Sequence, residues 1–113
     1  MDHGLGNRLF VFAVDIIKFI GSFPKTPEAQ VIRYQIAKSS TSSGANYEEA
    51  QAASSKADFV NKIKISLREM RESNFWLRIC LECNIGIKEN NEKLLQESIE
   101  LKKILGSISS KLK

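Results

Sequence analysis

The sequence predicts an all-α fold: an antiparallel up-down-up-down four-helix bundle, one domain over residues 1–113. Three observations predict it. Apolar residues recur at three- and four-residue spacing in four segments. Short breaks rich in Pro, Gly, Ser or Asn separate those segments. No stretch alternates apolar and polar residues as a half-buried strand does. The expected helices cover about residues 7–21, 27–53, 55–83 and 91–110.

In the first helix, Leu9, Phe12, Ile16, Ile20 and Phe23 follow the spacing of one face. Phe10, Val14 and Ile17 make a second stripe beside it. So wide an apolar arc implies more than one neighbour. The break from Ser22 to Glu28 carries Pro24 and Pro27. Thr26 suits an N-cap, and Pro27 suits the first helical position, where its missing N–H costs nothing.

The second helix begins with Val31, Ile32 and Ile36 and then turns to small residues: Ser39, Ser40, Ser42, Ser43, Gly44 and Ala45. Small side chains let a neighbouring backbone come close. Their hydroxyls also bond back to carbonyls one turn earlier, which weakens helicity. A loop over 39–45 is the alternative. Helix is preferred because residues 46–50 resume at the right phase.

The third helix opens on Ser55 as cap, with Asp58 in its first turn. Phe59, Ile63, Leu67, Met70, Asn74, Leu77 and Leu81 form its seam, with one polar break at Asn74. Ile65, Glu72, Trp76, Ile79 and Cys83 run beside it. Asp58–Lys62 and Arg68–Glu72 stand at ion-pair spacing. A break around Gly86 follows, and the fourth helix is expected to start at Asn90 or Asn91. Leu94, Ser98, Leu101, Leu105, Ile108 and Leu112 are its seam, with Leu95, Ile99 and Ile104 to one side.

The second apolar lines exceed what a monomeric bundle buries, so self-association is expected. A wide core face is the plainer explanation. The most apolar stretch, Leu9 to Ile20, contains Asp15 and Lys18 and falls short of the ~20 residues of a membrane span. It also lacks the basic start of a signal peptide. The expected location is therefore cytoplasmic, with no membrane partner.

Ordered along the second and third helices are Gln35-Ile36, Ser43-Gly44-Ala45-Asn46-Tyr47-Glu48-Glu49-Ala50, Ser54-Ser55-Lys56-Ala57-Asp58-Phe59, Lys62, Glu69, Glu72 and Trp76-Leu77. This series resembles the four-helix bundle proteins also called 23S rRNA intervening-sequence proteins. The resemblance runs from Phe10 to about Leu81. It implies antiparallel bundles that assemble as homopentameric rings, some encoded within insertions in bacterial 23S rRNA genes. A related branch is the accessory variability determinant of diversity-generating retroelements, which binds nucleic acid and a reverse transcriptase. The resemblance thus implies self, structured RNA or other nucleic acid, and a protein such as a reverse transcriptase as partners. For most of the family the molecular function is unknown. The family often has two adjacent basic residues after the Gln-Ile pair; here Ala37-Lys38-Ser39 offers one.

The chain carries a net charge of +4. Residues 1–50 hold five basic and five acidic side chains, residues 51–113 twelve and eight, so the surplus lies in the second half. Lys56, Lys64, Arg68, Arg71 and Arg78 fall on the outer side of the third helix. Lys102, Lys103, Lys111 and Lys113 give an end with no acid after Glu100. Phosphate binding needs such a surface. A pentamer would carry five times +4, about +20, a focused field if one face holds it. The plainer reading is a solvated helix face with cations near helix C-termini.

Ser43, Asn46, Glu49, Lys62 and Glu69 are read as a buried polar network joining the second and third helices, not as an active site. No nucleophile–base set accompanies them. Cys80-Leu81-Glu82-Cys83 is a C-x-x-C, but with only His3 elsewhere it is short of zinc ligands. It lies near a helix C-terminus, where thiolate is disfavoured. Trp76 with Phe75 could stack a base, but core or interface is the plainer role. Glu48-Glu49 and Glu69/Glu72 can be drawn as glycosidase-type pairs, though no cleft supports them. No phosphate-loop, dinucleotide or H-E-x-x-H motif is present. The expectation is no enzyme, no metal and no cofactor.

Overall fold

The computed structural model describes residues 4–112. Helix α1 spans Leu5–Phe19 and runs into a 3₁₀ turn, Ile20–Ser22. Helices α2 (Pro27–Gln51), α3 (Lys56–Glu82) and α4 (Lys88–Lys111) follow. No strand occurs among the described residues. The particle measures 44 × 22 × 21 Å. Its long axis matches the ~40 Å length of a 27-residue helix.

Cross-helix contacts fix the directions. Ser39 meets Ser73, Ser43 meets Ser66, and Glu49 meets Lys62, so α2 and α3 run antiparallel. Asn74 meets Ser98 and Asn91 meets Leu77, which sets α4 against α3. Arg8 binds Glu97 while Ser22 binds Ile87, closing α4 onto α1. Arg33 reaches the Ile20 carbonyl and Gly44 lies on Leu9, which sets α2 against α1. The bundle is up-down-up-down.

Helix starts follow local chemistry. The Thr26 hydroxyl accepts the Ala29 N–H at 3.3 Å, and Pro27 opens α2. The Ser55 hydroxyl accepts the Asp58 N–H at 3.0 Å. The serine-rich 39–45 stretch is continuous helix. Packing of the buried Ser39, Ser40 and Ser43 outweighs the weak propensity. Helix α4 begins at Lys88, earlier than the asparagines suggest. Asn91 is no cap: it is buried in the first turn, and its Nδ2 donates to the Leu77 carbonyl at 3.0 Å.

The α3–α4 connection is a tight stop. Asn84 takes the left-handed conformation, and the Ile85 N–H donates to the Cys80 carbonyl at 2.9 Å. Gly86 follows at φ +86°. A Cβ there would come within 2.7 Å of Phe19 and 2.9 Å of Phe23, whose rings pack edge to face. Glycine lets this loop sit against the end of α1.

The core holds Leu9, Phe12 and Ile16 of α1, Ile36 of α2, Ile63, Met70 and Leu77 of α3, and Leu101 and Leu105 of α4. Two details of the seams differ from expectation. Cys80 turns inward where Leu81 was expected, and Ser66 and Ser73 are fully buried in α3. The second apolar lines divide. Trp76, Ile79, Leu95 and Ile104 pack against the core as part of a wide inner face. The α1 line does not: Phe10 is 66% exposed and Ile17 48%.

The expected ion pairs within α3 are replaced. Lys62 pairs with Glu49 on α2 at 3.1 Å, and Arg68 with Glu69 at 3.5 Å. Glu72 instead accepts from the Trp76 indole at 3.4 Å. A pairing between helices removes more apolar stem from water than one along an exposed face.

Candidate nucleic-acid interface

Helix α3 presents its cations along one edge. Lys56, Lys64, Arg68, Arg71 and Arg78 are all exposed. Their spacings are multiples of a helical turn, so they form a stripe about 33 Å long. Where α3 meets the end of α4, the stripe borders a shallow groove of about 350 Å³. Lys64, Arg68 and Arg71 line one wall; Gly106, Ser109 and Ser110 line the other. A second shallow depression, lined by Lys56, Ala57, Val60, Asn61 and Lys64, continues it toward the start of α3.

No carboxylate lines either depression. Among the described residues, Lys64 and Arg71 have no ion-pair partner. The groove therefore combines cations with serine hydroxyls, groups that donate to phosphate oxygens, although the Ser110 hydroxyl donates to the Ser107 carbonyl at 3.3 Å and must turn from it to do so. Gly106 keeps the α4 wall low.

The remaining candidate cations divide. Helical phase puts Lys102 one turn before Gly106, on the face of α4 that borders the groove. Lys111 is exposed in the last turn of α4, a favourable end for a cation. Lys103, three residues before Gly106 and seven before Ser110, is exposed on the same outer side but does not line the groove. It lies near Glu100, which accepts from Arg8 at 3.1 Å. Arg8 also makes a two-point contact with Glu97, at 3.0 and 2.6 Å. These hydrogen bonds hold the Arg8 guanidinium charged, its pKa raised above the ordinary value. Hydrogen bonds from Gln96 and then Arg8 lower the Glu100 pKa. Lys103 lies close enough to act electrostatically on Glu100, beside the Arg8 contacts that tie α1 to α4. Lys113 lies outside the described residues.

At the far end of the stripe stand two aromatics. Phe75 is 46% exposed, and the Arg78 guanidinium sits over its ring, 5.7 Å from the centroid. The Trp76 ring meets it edge-on at 5.2 Å and 72°. Arg78 Nε donates to Asn74 Oδ1 at 3.0 Å, and Asn74 Nδ2 donates to the buried Ser98 hydroxyl at 2.9 Å. Arg78 is therefore positioned from the core outward.

Of the five polar residues read from the sequence, only Ser43, Glu49 and Lys62 make contacts between α2 and α3. The partner of Ser43 is Ser66: each hydroxyl donates to the other's carbonyl. Ser39 and Ser73 hydroxyls meet at 2.7 Å one level along. Glu49 and Lys62 pair at the edge, where Glu49 is exposed. Asn46 bonds only within its own helix, to Ser42, and Glu69 turns to Arg68. Sequence reasoning missed Ser66, Ser73 and Ser39 as partners. For Ser66 and Ser73 the spacing beside Leu67 and Met70 was the available signal, and for Ser39 the run of small residues in α2.

Nothing assembles into a metal centre among the described residues. His3 lies outside them. Cys80 is buried and its thiol is pushed up to about 11 by desolvation and by Cys83; Cys83 is exposed. No helix among the described residues is long and apolar enough to cross a membrane.

The family model for the 23S rRNA-intervening sequence protein matches residues 5–107. The chain belongs to the 23S rRNA-intervening sequence protein family. A solved structure is similar to this family member across almost its whole length. It is a protein of unknown function from the S23 ribosomal protein family of Bacteroides thetaiotaomicron. The two share 34% identity over 93% of this chain and 97% of that one, with a TM-score of 0.84. None of the curated proteins matches the chain. The matched span of this 23S rRNA-intervening sequence protein includes all of α3 and the α4 face as far as Gly106.

Proposed function

We propose that the protein is a non-enzymatic, basic, self-associating module that holds RNA or another nucleic acid through its backbone phosphates. The observation that carries this reading is the groove between α3 and α4: Lys64, Arg68 and Arg71 facing Ser109 and Ser110, with no carboxylate in its lining. Such a surface releases counterions when it meets a polyanion, so binding falls steeply with salt and shows little base preference.

Self-association is supported by the α1–α2 face. Phe10, Val14 and Ile17 with Ala45 line an apolar groove of about 700 Å³ that this chain leaves uncovered. A copy seated there would remove Phe10 and Ile17 from water. A homopentameric ring, the assembly the sequence resemblance implies, would repeat the cationic stripe five times around one particle.

The test is an electrophoretic shift of structured RNA at about 50 and 200 mM salt, with the triple variant K64E/R68E/R71E beside the parent. The expected result is binding by the parent at low salt only and none by the variant. No parent binding at the lower salt refutes the reading. The apolar groove also supports a second reading, a scaffold for another protein such as a reverse transcriptase. Nuclease-resistant co-purification with one protein would favour that reading. Light scattering of the purified chain decides self-association: a mass near 12.7 kDa rules out the ring.

A further inference from the structure

We infer that Phe75 is a base-stacking platform, and that the stripe on α3 takes an unpaired strand of RNA or DNA in preference to a duplex. This rests on the phosphate-binding reading and adds to it the class of nucleic acid.

Phe75 is the one large exposed apolar side chain of α3, and it stands within the cation stripe. Arg71 precedes it by four residues and Arg78 follows it by three, so both lie about one turn away on the same edge. An aromatic ring between two cations fits one nucleotide unit: a flat base for the ring and phosphates on either side for the guanidinium groups. A duplex has no use for the ring, because its bases are already stacked on one another. An unpaired strand offers the π-face of every base, whatever its identity.

The ring and its neighbours are set before any ligand arrives. Trp76, half-buried against the core, braces the Phe75 ring edge-on. The Trp76 indole is itself tied to Glu72. Arg78 is held by Asn74, and Asn74 by the buried Ser98. Side chains fixed in this way lose little freedom on binding. Arg78 rests over the Phe75 ring, and a base that stacks there takes the place of the guanidinium on the phenyl face and leaves it beside the strand as a phosphate partner.

The experiment uses the full chain, a fluorescein-labelled 20-nucleotide oligo(U) and a blunt RNA duplex of equal length, read by anisotropy at about 50 mM salt. Phe75→Ala is expected to weaken oligo(U) binding about tenfold and leave duplex binding unchanged. Phe75→Tyr is expected to keep parent affinity. Oligo(U) should also quench the fluorescence of Trp76, the single tryptophan, more than the duplex does. Stacking is overturned if Phe75→Ala leaves oligo(U) binding intact, or weakens oligo(U) and duplex equally. If Arg71→Glu still weakens both ligands in that case, the phosphate reading stands without it. If the parent binds neither RNA, both readings fall together.

Discussion

Ser43 and Ser66 exchange hydrogen bonds across the α2–α3 seam. The Ser43 hydroxyl donates to the Ser66 carbonyl at 2.8 Å, and the Ser66 hydroxyl donates to the Ser43 carbonyl at 2.7 Å. Both residues are fully buried. A side chain longer than serine could not leave the two backbones this close.

The first prediction separates the hydroxyl from the space it occupies. Ser66→Ala loses one neutral hydrogen bond and should cost about 1 kcal/mol. Ser66→Val adds bulk where the backbones meet and should cost about 2–3 kcal/mol. Urea midpoints at unchanged slope measure both. A midpoint for Ser66→Val equal to the parent's would show that the approach is not tight.

Gly86 supports a second prediction. Its φ of +86° is strained for any L side chain, and a Cβ would collide with Phe19. Gly86→Ala should destabilise by about 2 kcal/mol or more, from left-handed strain plus the contact. Gly21→Ala is the control, because nothing lies within 4 Å of a Cβ there. Thermal melts of the two variants should differ clearly.

The Arg8 cluster makes stability depend on acid. Glu100 has its pKa lowered, first by Gln96 and then by Arg8. A carboxylate with a lowered folded pKa stabilises above its unfolded value, near 4.3, and that stabilisation is lost as pH falls through the folded value. Arg8→Met should therefore lower the melting temperature most near pH 7. The gap to the parent should narrow below about pH 4. A gap constant from pH 7 to pH 3 would mean that Arg8 acts only through packing.

The two thiols should behave differently. Cys83 is exposed, whereas Cys80 is buried with its thiol pushed up to about 11. At pH 8 an aromatic disulfide reagent should titrate Cys83 quickly in Cys80→Ala. In Cys83→Ala, reaction should wait on unfolding. Fast reaction of both variants would place Cys80 within reach of solvent.

Apolar spacing made most of the bundle legible. Leu9, Phe12, Ile16, Ile63, Met70, Leu101 and Leu105 all lie where three- and four-residue periodicity puts them. Polar residues were harder because their roles depend on distant partners. Lys62 has Asp58 one turn away along its own helix, yet it binds Glu49 on the next. Asn91 has the composition of a cap, but the tight turn at Asn84 and Gly86 starts α4 earlier and carries Asn91 into the core. Ser66 and Ser73 carry no apolar signal, and their roles emerge only when α2 supplies their partners. The cations of α3 were legible one by one. Ser109 and Ser110 opposite them were not, because that wall exists only when α4 folds back antiparallel.

The serine contacts at Ser39–Ser73 and Ser43–Ser66, with Glu49–Lys62 beyond them, pin α3 to α2 at successive levels. A helix clamped at three heights can neither slide nor bend much along its length. The intervals between Lys56, Lys64, Arg68, Arg71 and Arg78 are then graduations on a stiff rule, set by helical pitch and indifferent to what is measured. A flexible polyanion can bring its charges to those marks, whereas a rigid one must already match them.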